Sequence, residues 1–119
     1  MIPFKKKKDI LNLFGILRTM KNKNAIISPD LKAISRFSKA MGHPIRMFVL
    51  ELLSKQACCY SGDLTEVLPI AKSTLSQHLK ELKDAGLIQG EIEAPKIKYC
   101  LNQENWKLAQ NLFNKFLNT

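Results

Sequence analysis

Sixteen residues, Ala71 to Gly86 (AKSTLSQHLKELKDAG), constrain this chain more than any other stretch. Leu75, Leu79 and Leu82 fall at i, i+4 and i+7, which places them on one face of an α-helix, and Gly86 stands where a helix is commonly stopped. That face needs a core to cover it. The opposite face carries Ser73, Ser76, Gln77, Lys80 and Asp84, with short hydrogen-bonding side chains in the first two turns. A plain solvated helix is filled instead with Glu, Lys and Arg of alternating sign, so this one reads as a surface that contacts something.

The elements around it follow from spacing and punctuation. Residues 9–20 place Ile10, Leu13, Phe14 and Leu17 at helical spacing, which predicts an extra N-terminal helix. Ser28-Pro29-Asp30 is a helix start: a cap, a proline at the first helical position, and an acid near the positive end of the dipole. This helix is expected to turn Leu31, Ile34, Phe37 and Met41 inward and to end near Gly42. His43-Pro44 opens the next, with an apolar face of Ile45, Phe48, Val49, Leu52 and Leu53. Ala57 to Tyr60 is predicted as a small strand, and Leu64 to Leu68 as a short helix ended by Pro69. Two helices joined by a tight turn, the second with a polar reading face, make a helix-turn-helix. Beyond Gly86, residues 87–93 and 96–101 alternate around Ala94-Pro95, so a hairpin is expected with Ile97, Tyr99 and Leu101 on its buried side. A hairpin after a helix-turn-helix is a wing. From an Asn102 cap, Trp106, Ala109, Leu112, Phe113, Phe116 and Leu117 recur at three and four, more aromatic surface than a small domain needs for its own core, and so a dimer contact is expected.

The predicted fold is therefore mainly α with a small β-hairpin wing, a winged helix-turn-helix with an extra N-terminal helix. We divide the chain into a basic arm with an amphipathic helix (1–28) and a winged domain carrying a C-terminal dimerisation helix (29–119). Its 119 residues suffice for one core, and a formal charge of +9 favours a polyanionic partner. Residues 1–23 hold seven Lys/Arg and one Asp, so two thirds of that charge sits on the arm. No apolar run approaches the ~20 residues that span a bilayer, and Lys5 to Lys8 are not followed by a cleavage signal. Three cysteines do not form a disulfide framework, and a cytoplasmic protein is expected.

Three segments resemble the ArsR/SmtB family of bacterial winged-helix repressors: Lys39-Ala40-Met41-Gly42-His43-Pro44-Ile45-Arg46, Gly62-Asp63-Leu64, and the ungapped run from Ser73 to Ile88. The resemblance covers roughly residues 31–117. It implies a homodimer built on the first and last helices of the body, through Leu31, Ile34, Trp106, Ala109, Leu112, Phe113 and Phe116. It also implies a recognition helix in each major groove, a wing on the backbone, and repression from a palindromic operator. Two departures stand out. The family commonly has Ser where Ala71 stands, so Ser73 is expected to cap one turn later. The family's Cys-x-Cys before Asp-Leu and the histidines of its last helix are missing, and with them the usual metal sites.

For double-stranded DNA, the expected contacts are Lys72, Ser73, Thr74, Ser76, Gln77, His78 and Lys80 on the helix, with Lys96 and Lys98 on the wing. Half-burial competes with DNA contact for His78, and edge protection with phosphate contact for the two wing lysines. Capping is the expected role of His43. The cysteines Cys58, Cys59 and Cys100 have a bland reading as buried thiols and a sharp one as a thiol sensor for an oxidant or a soft metal or metalloid. No cofactor is otherwise implied, and no inducer is named by the sequence. No Ser/His/Asp set, carboxylate pair or Gly-rich phosphate loop suggests an enzyme. The alternative is a winged-helix protein-interaction or membrane-surface module that uses the basic N-terminal helix.

Overall fold

In a computed structural model, residues 26–56, 60–93 and 97–118 are described. The predicted helix at 9–20, Cys58, Cys59 and Lys96 lie outside them. The chain divides into two compact units, 1–32 and 33–119. Helix α1 (Pro29–Met41) starts as its sequence predicts, with the Ser28 hydroxyl accepting the Leu31 amide at 3.1 Å. Its buried positions are Ile34, Phe37 and Ala40, while Leu31 is exposed, which corrects the inward assignment of Leu31.

Helix α2 (Pro44–Lys55) is capped by His43, whose Nδ1 accepts the Ile45 amide at 3.1 Å. Val49, Leu50 and Leu53 are its buried residues, and Phe48 is exposed. The predicted face is thus rotated by about one residue. Met47 to Leu50 is apolar without a break, so the period alone does not choose a side, and packing against the rest of the core does.

Strand β1 is Tyr60–Ser61, and residues 57–59 of the predicted strand lie outside the described residues. The short helix predicted at 64–68 is a single 3₁₀ turn, Leu64–Glu66, capped by Asp63, which accepts from the Thr65 amide and hydroxyl. Helix α3 (Lys72–Asp84) follows. It buries Leu75, Leu79 and Leu82, and Gly86 ends it at φ +82°. The Gly86 amide bonds the Lys83 carbonyl and the Leu87 amide bonds the Leu82 carbonyl, the double closure that a left-handed residue at a helix C-terminus permits.

Strands β2 (Ile88–Glu91) and β3 (Lys98–Leu101) pair antiparallel, and β1 adds to the other side of β3. Ile88 faces Leu101, Gly90 faces Tyr99 and Glu91 faces Lys98. Tyr99 and Leu101 are buried as predicted. Gly90, at φ +115°, is required by its neighbour strand: a Cβ there would lie 2.3 Å from the Lys98 carbonyl oxygen. Helix α4 (Gln103–Leu117) begins at Asn102, whose side chain accepts the Asn105 amide. Leucines from α2, α3 and α4 meet Tyr99 and Leu101 in one core, so the sheet backs the reading helix from one side and α2 from another.

Candidate nucleic-acid interface

Burial of Leu75, Leu79 and Leu82 turns the other side of α3 outward. Lys72, Ser73, Thr74, Ser76, Gln77 and Lys80 are all exposed, and they run along two and a half turns of one helix. Ala71 is the N-cap and contributes no side-chain bond, so the expected cap at Ser73 is overturned: Ser73 lies inside the first turn. The reason is backbone geometry. Ala71 is extended (ψ 154°) and its carbonyl already accepts the Leu75 amide, which commits Lys72 and its successors to the helix. The first amides of α3 are left without a side-chain acceptor, an arrangement that suits a phosphate oxygen.

The sequence did not reveal what holds this helix. At its C-terminal end the Arg36 guanidinium of α1 donates to the Asp84 carbonyl, a cation on orphan carbonyls. Asn105 of α4 donates to the Gly86 carbonyl at 2.9 Å, and Lys83 donates to the Gly90 carbonyl at 2.8 Å, tying α3 to the wing. At the N-terminal end Lys72 stands 3.5 Å from Asp63, an exposed and loose pair. Hydrogen bonds from Thr65 hold the Asp63 carboxyl below its ordinary range, with Lys72 adding a smaller effect.

His78 is half-buried and turned away from the reading face. Its ring lies 4.2 Å, centroid to centroid, from that of His43, and Arg46 approaches its Nδ1 at 3.4 Å. An arginine donates only to an unprotonated nitrogen, so the neutral ring fits here. Burial, then the His43 and Arg46 charges, push the His78 pKa down. The sign for stability follows: the unfolded chain binds a proton near pH 6.5 that the folded chain refuses. Stability is full above about pH 6.5 and falls as pH drops toward the folded value. A thermal melt series from pH 7.5 to 5 should show the decline in wild type and a shallower one in His78→Gln; parallel curves would mean that His78 is not the group responsible.

On the wing, Lys98 is exposed opposite Glu91, and Lys96 lies outside the described residues. An open cleft of about 430 Å³ separates α3 from the hairpin, bordered by Gln77, Lys80 and Lys83 on one side and by Glu91 and Glu93 on the other. Those two acids escaped the sequence reading, which weighed only the wing lysines. They oppose phosphate and favour lysines, so the cleft restricts how a duplex can lie. Among the described residues no group of three or more His, Cys, Asp or Glu could hold a metal. The two histidines meet beside the Arg46 guanidinium, a poor setting for a cation. Cys100 on β3 is half-buried. No helix among the described residues is long and apolar enough to cross a membrane.

Comparison with known proteins agrees with this geometry. A helix-turn-helix domain model matches residues 41–91, from the end of α1 through β2. The regulator YgaV of Escherichia coli K12 is 38% identical over 66 residues, 56% of this chain and 67% of that protein. The arsenical resistance operon repressor of Staphylococcus xylosus is 36% identical over 73 residues, 61% of this chain and 69% of the relative. The repressor SmtB of Mycobacterium tuberculosis is 35% identical over 72 residues, 60% of this chain and 52% of its own length. The chain belongs to the ArsR/SmtB family. It is a DNA-binding transcriptional repressor of the ArsR/SmtB type and not an enzyme. Within the ArsR/SmtB frame α3 is the second helix of the helix-turn-helix and β2–β3 the wing.

The expected dimer residues are divided by burial. Ile34, Ala109 and Leu112 sit in the core of the protomer, Trp106 and Phe113 pack partly against it, and Leu31 and Phe116 are exposed. Leu117, the last residue of the predicted stripe, is exposed as well, and so is Leu108, which lies outside that stripe.

Proposed function

We propose that the protein binds an imperfectly palindromic operator as a homodimer, each α3 entering a major groove through Ser73, Ser76 and Gln77. Lys72, Thr74 and Lys80 take phosphates beside it, and Lys98 with Lys96 brings the wing to the backbone. The observation that carries this reading is the exposed polar face of α3, anchored by three buried leucines and backed by the wing. The twofold arrangement calls for half-site centres about 34–36 Å apart.

A thiol input extends the proposal. A relative is an arsenical resistance operon repressor, and Cys100 lies at the root of the wing, where a bound soft metalloid would disturb the hairpin. Its expected companions Cys58 and Cys59 lie outside the described residues. Cytoplasmic location belongs to the same reading.

A salt titration of binding to the chain's own upstream DNA beside random duplex tests it. Gln77→Ala and Ser76→Ala should lose discrimination, each by about 1–3 kcal/mol, whereas Lys80→Ala should weaken both DNAs alike. Equal losses on both DNAs for all three variants would remove the base readers. Repeated with trivalent arsenic, the titration should show release in wild type and none in Cys100→Ser; identical responses would remove the thiol input.

A further inference from the structure

Beside the first turns of α3 lies a second opening, which shares Lys72 and Ser76 with the proposed DNA contacts but whose apolar floor those contacts do not use. Leu75 and Leu79 of α3 form its floor with Tyr99 of β3, and Ile92 and Ile97, which follow β2 and precede β3, form its outer wall. Its volume is about 150 Å³, and its lining is largely apolar. An apolar cavity of about that size admits a benzene-sized body. Leu75, Leu79 and Tyr99 are buried, so the floor is a fixed part of the core, whereas Ile92 and Ile97 are only half-buried and form the side that can yield.

Asp63 and Lys72 border the mouth. They are not equivalent. Asp63 Oδ1 is fixed by two bonds from Thr65, at 2.9 Å from the amide and 2.6 Å from the hydroxyl, and the same bonds keep the carboxyl ionised. Its Oδ2 is met only at 3.5 Å by Lys72, whose side chain is 82% exposed, against 30% for that of Asp63. A pair this loose and this wet is weak. The carboxylate is thus a preorganised acceptor with one oxygen in reserve, and the lysine a mobile cation that another donor can displace.

We propose that this pocket is an effector site for a small aromatic or cyclic amine, its ring against Leu75, Leu79 and Tyr99 and its ammonium on Asp63 Oδ2. An anionic ligand would have to approach the fixed carboxylate, which disfavours it. Ser76 lines the same pocket from the reading helix, and Ile92 and Ile97 belong to the arms of the wing. An occupant therefore wedges the wing from α3, and two elements that must meet one duplex together lose their spacing. Freeing Lys72 from a weak surface pair offsets little of this. Operator affinity falls, and by reciprocity operator DNA weakens the ligand by the same factor. The pocket stands without the assignment of base readers, whereas its effect on DNA rests on that assignment.

Methyl NMR of the full chain titrated with benzylamine, toluene and benzoate tests both parts. Benzylamine should shift the methyls of Leu75, Leu79, Ile92 and Ile97 saturably and leave those of Leu53 and Leu112 in place, with toluene weaker and benzoate weakest. Asp63→Asn, which can still cap the 3₁₀ turn, should weaken benzylamine about tenfold and bring it near toluene. Ile97→Phe should fill the space and abolish the shifts while the remaining spectrum stays folded. Saturating benzylamine should lower operator affinity in wild type and not in Ile97→Phe. Absence of saturation, benzoate binding as well as benzylamine, or an unchanged affinity in Asp63→Asn would overturn the site. Saturable binding with operator affinity unchanged or increased would overturn the wedge and leave the site.

Discussion

Replacing Phe116 and Leu117 with glutamate is expected to give a folded monomer whose operator affinity is lower by a factor on the order of a hundred or more. Both side chains lie at the end of α4, 53% and 72% exposed, so the exchange removes apolar surface without opening the core of the protomer. Trp106 and Phe113 are already partly engaged with that core and are poorer choices, because a loss of folding would imitate a loss of assembly. Two half-sites read by one dimer reinforce each other through a high effective concentration, and a monomer forfeits that gain without losing any contact of its own. Sedimentation should show half the mass and a thermal melt a retained transition. An unchanged dimer would mean that α4 uses another surface to associate, or none.

The second large effect belongs to Gly90→Ala, expected to cost about 3 kcal/mol or more and to unpair the wing. The φ of +115° is one that side chains rarely adopt, and the new Cβ would meet the Lys98 carbonyl at 2.3 Å and the Tyr99 Cα at 3.0 Å. Both are backbone atoms and cannot swing aside. Relief requires β2 to move away from β3, which gives up the register that sets Glu91 opposite Lys98 and breaks the reach of Lys83 to the Gly90 carbonyl. Denaturant unfolding measures the cost, and amide exchange at residues 88–91 and 98–101 locates it. A loss below about 1 kcal/mol with exchange unchanged would show that the strands tolerate a side chain here.

How much of this was legible in the sequence depended on whether the signal was local. Leu75, Leu79, Leu82 and Gly86 define α3 because period and stop lie within one element, and the caps Ser28, His43 and Asn102 are readable for the same reason. The family relation was legible as well, because the run from Ser73 to Ile88 is long and ungapped. The face of α2 was misread because four consecutive apolar residues carry no phase, so Phe48 was placed inside where Leu50 belongs. Ser73 was misread because cap preference yields to the backbone already fixed at Ala71. Arg36 and Asn105 were invisible: each reaches a carbonyl far along the chain, 48 residues away for Arg36 and 19 for Asn105, and no spacing rule connects them.

Those long reaches give α3 the mechanics of a cantilever. Its root is clamped by a guanidinium on Asp84, an amide on Gly86 and the ammonium of Lys83 on the wing, while its tip has an uncapped alanine and one loose lysine. A beam held in this way is displaced most at its far end, and in the proposed complex that is the end that meets the groove. Small errors of fit can be absorbed there at little cost, while the angle at which the beam leaves the body is set at the root by α1 and α4.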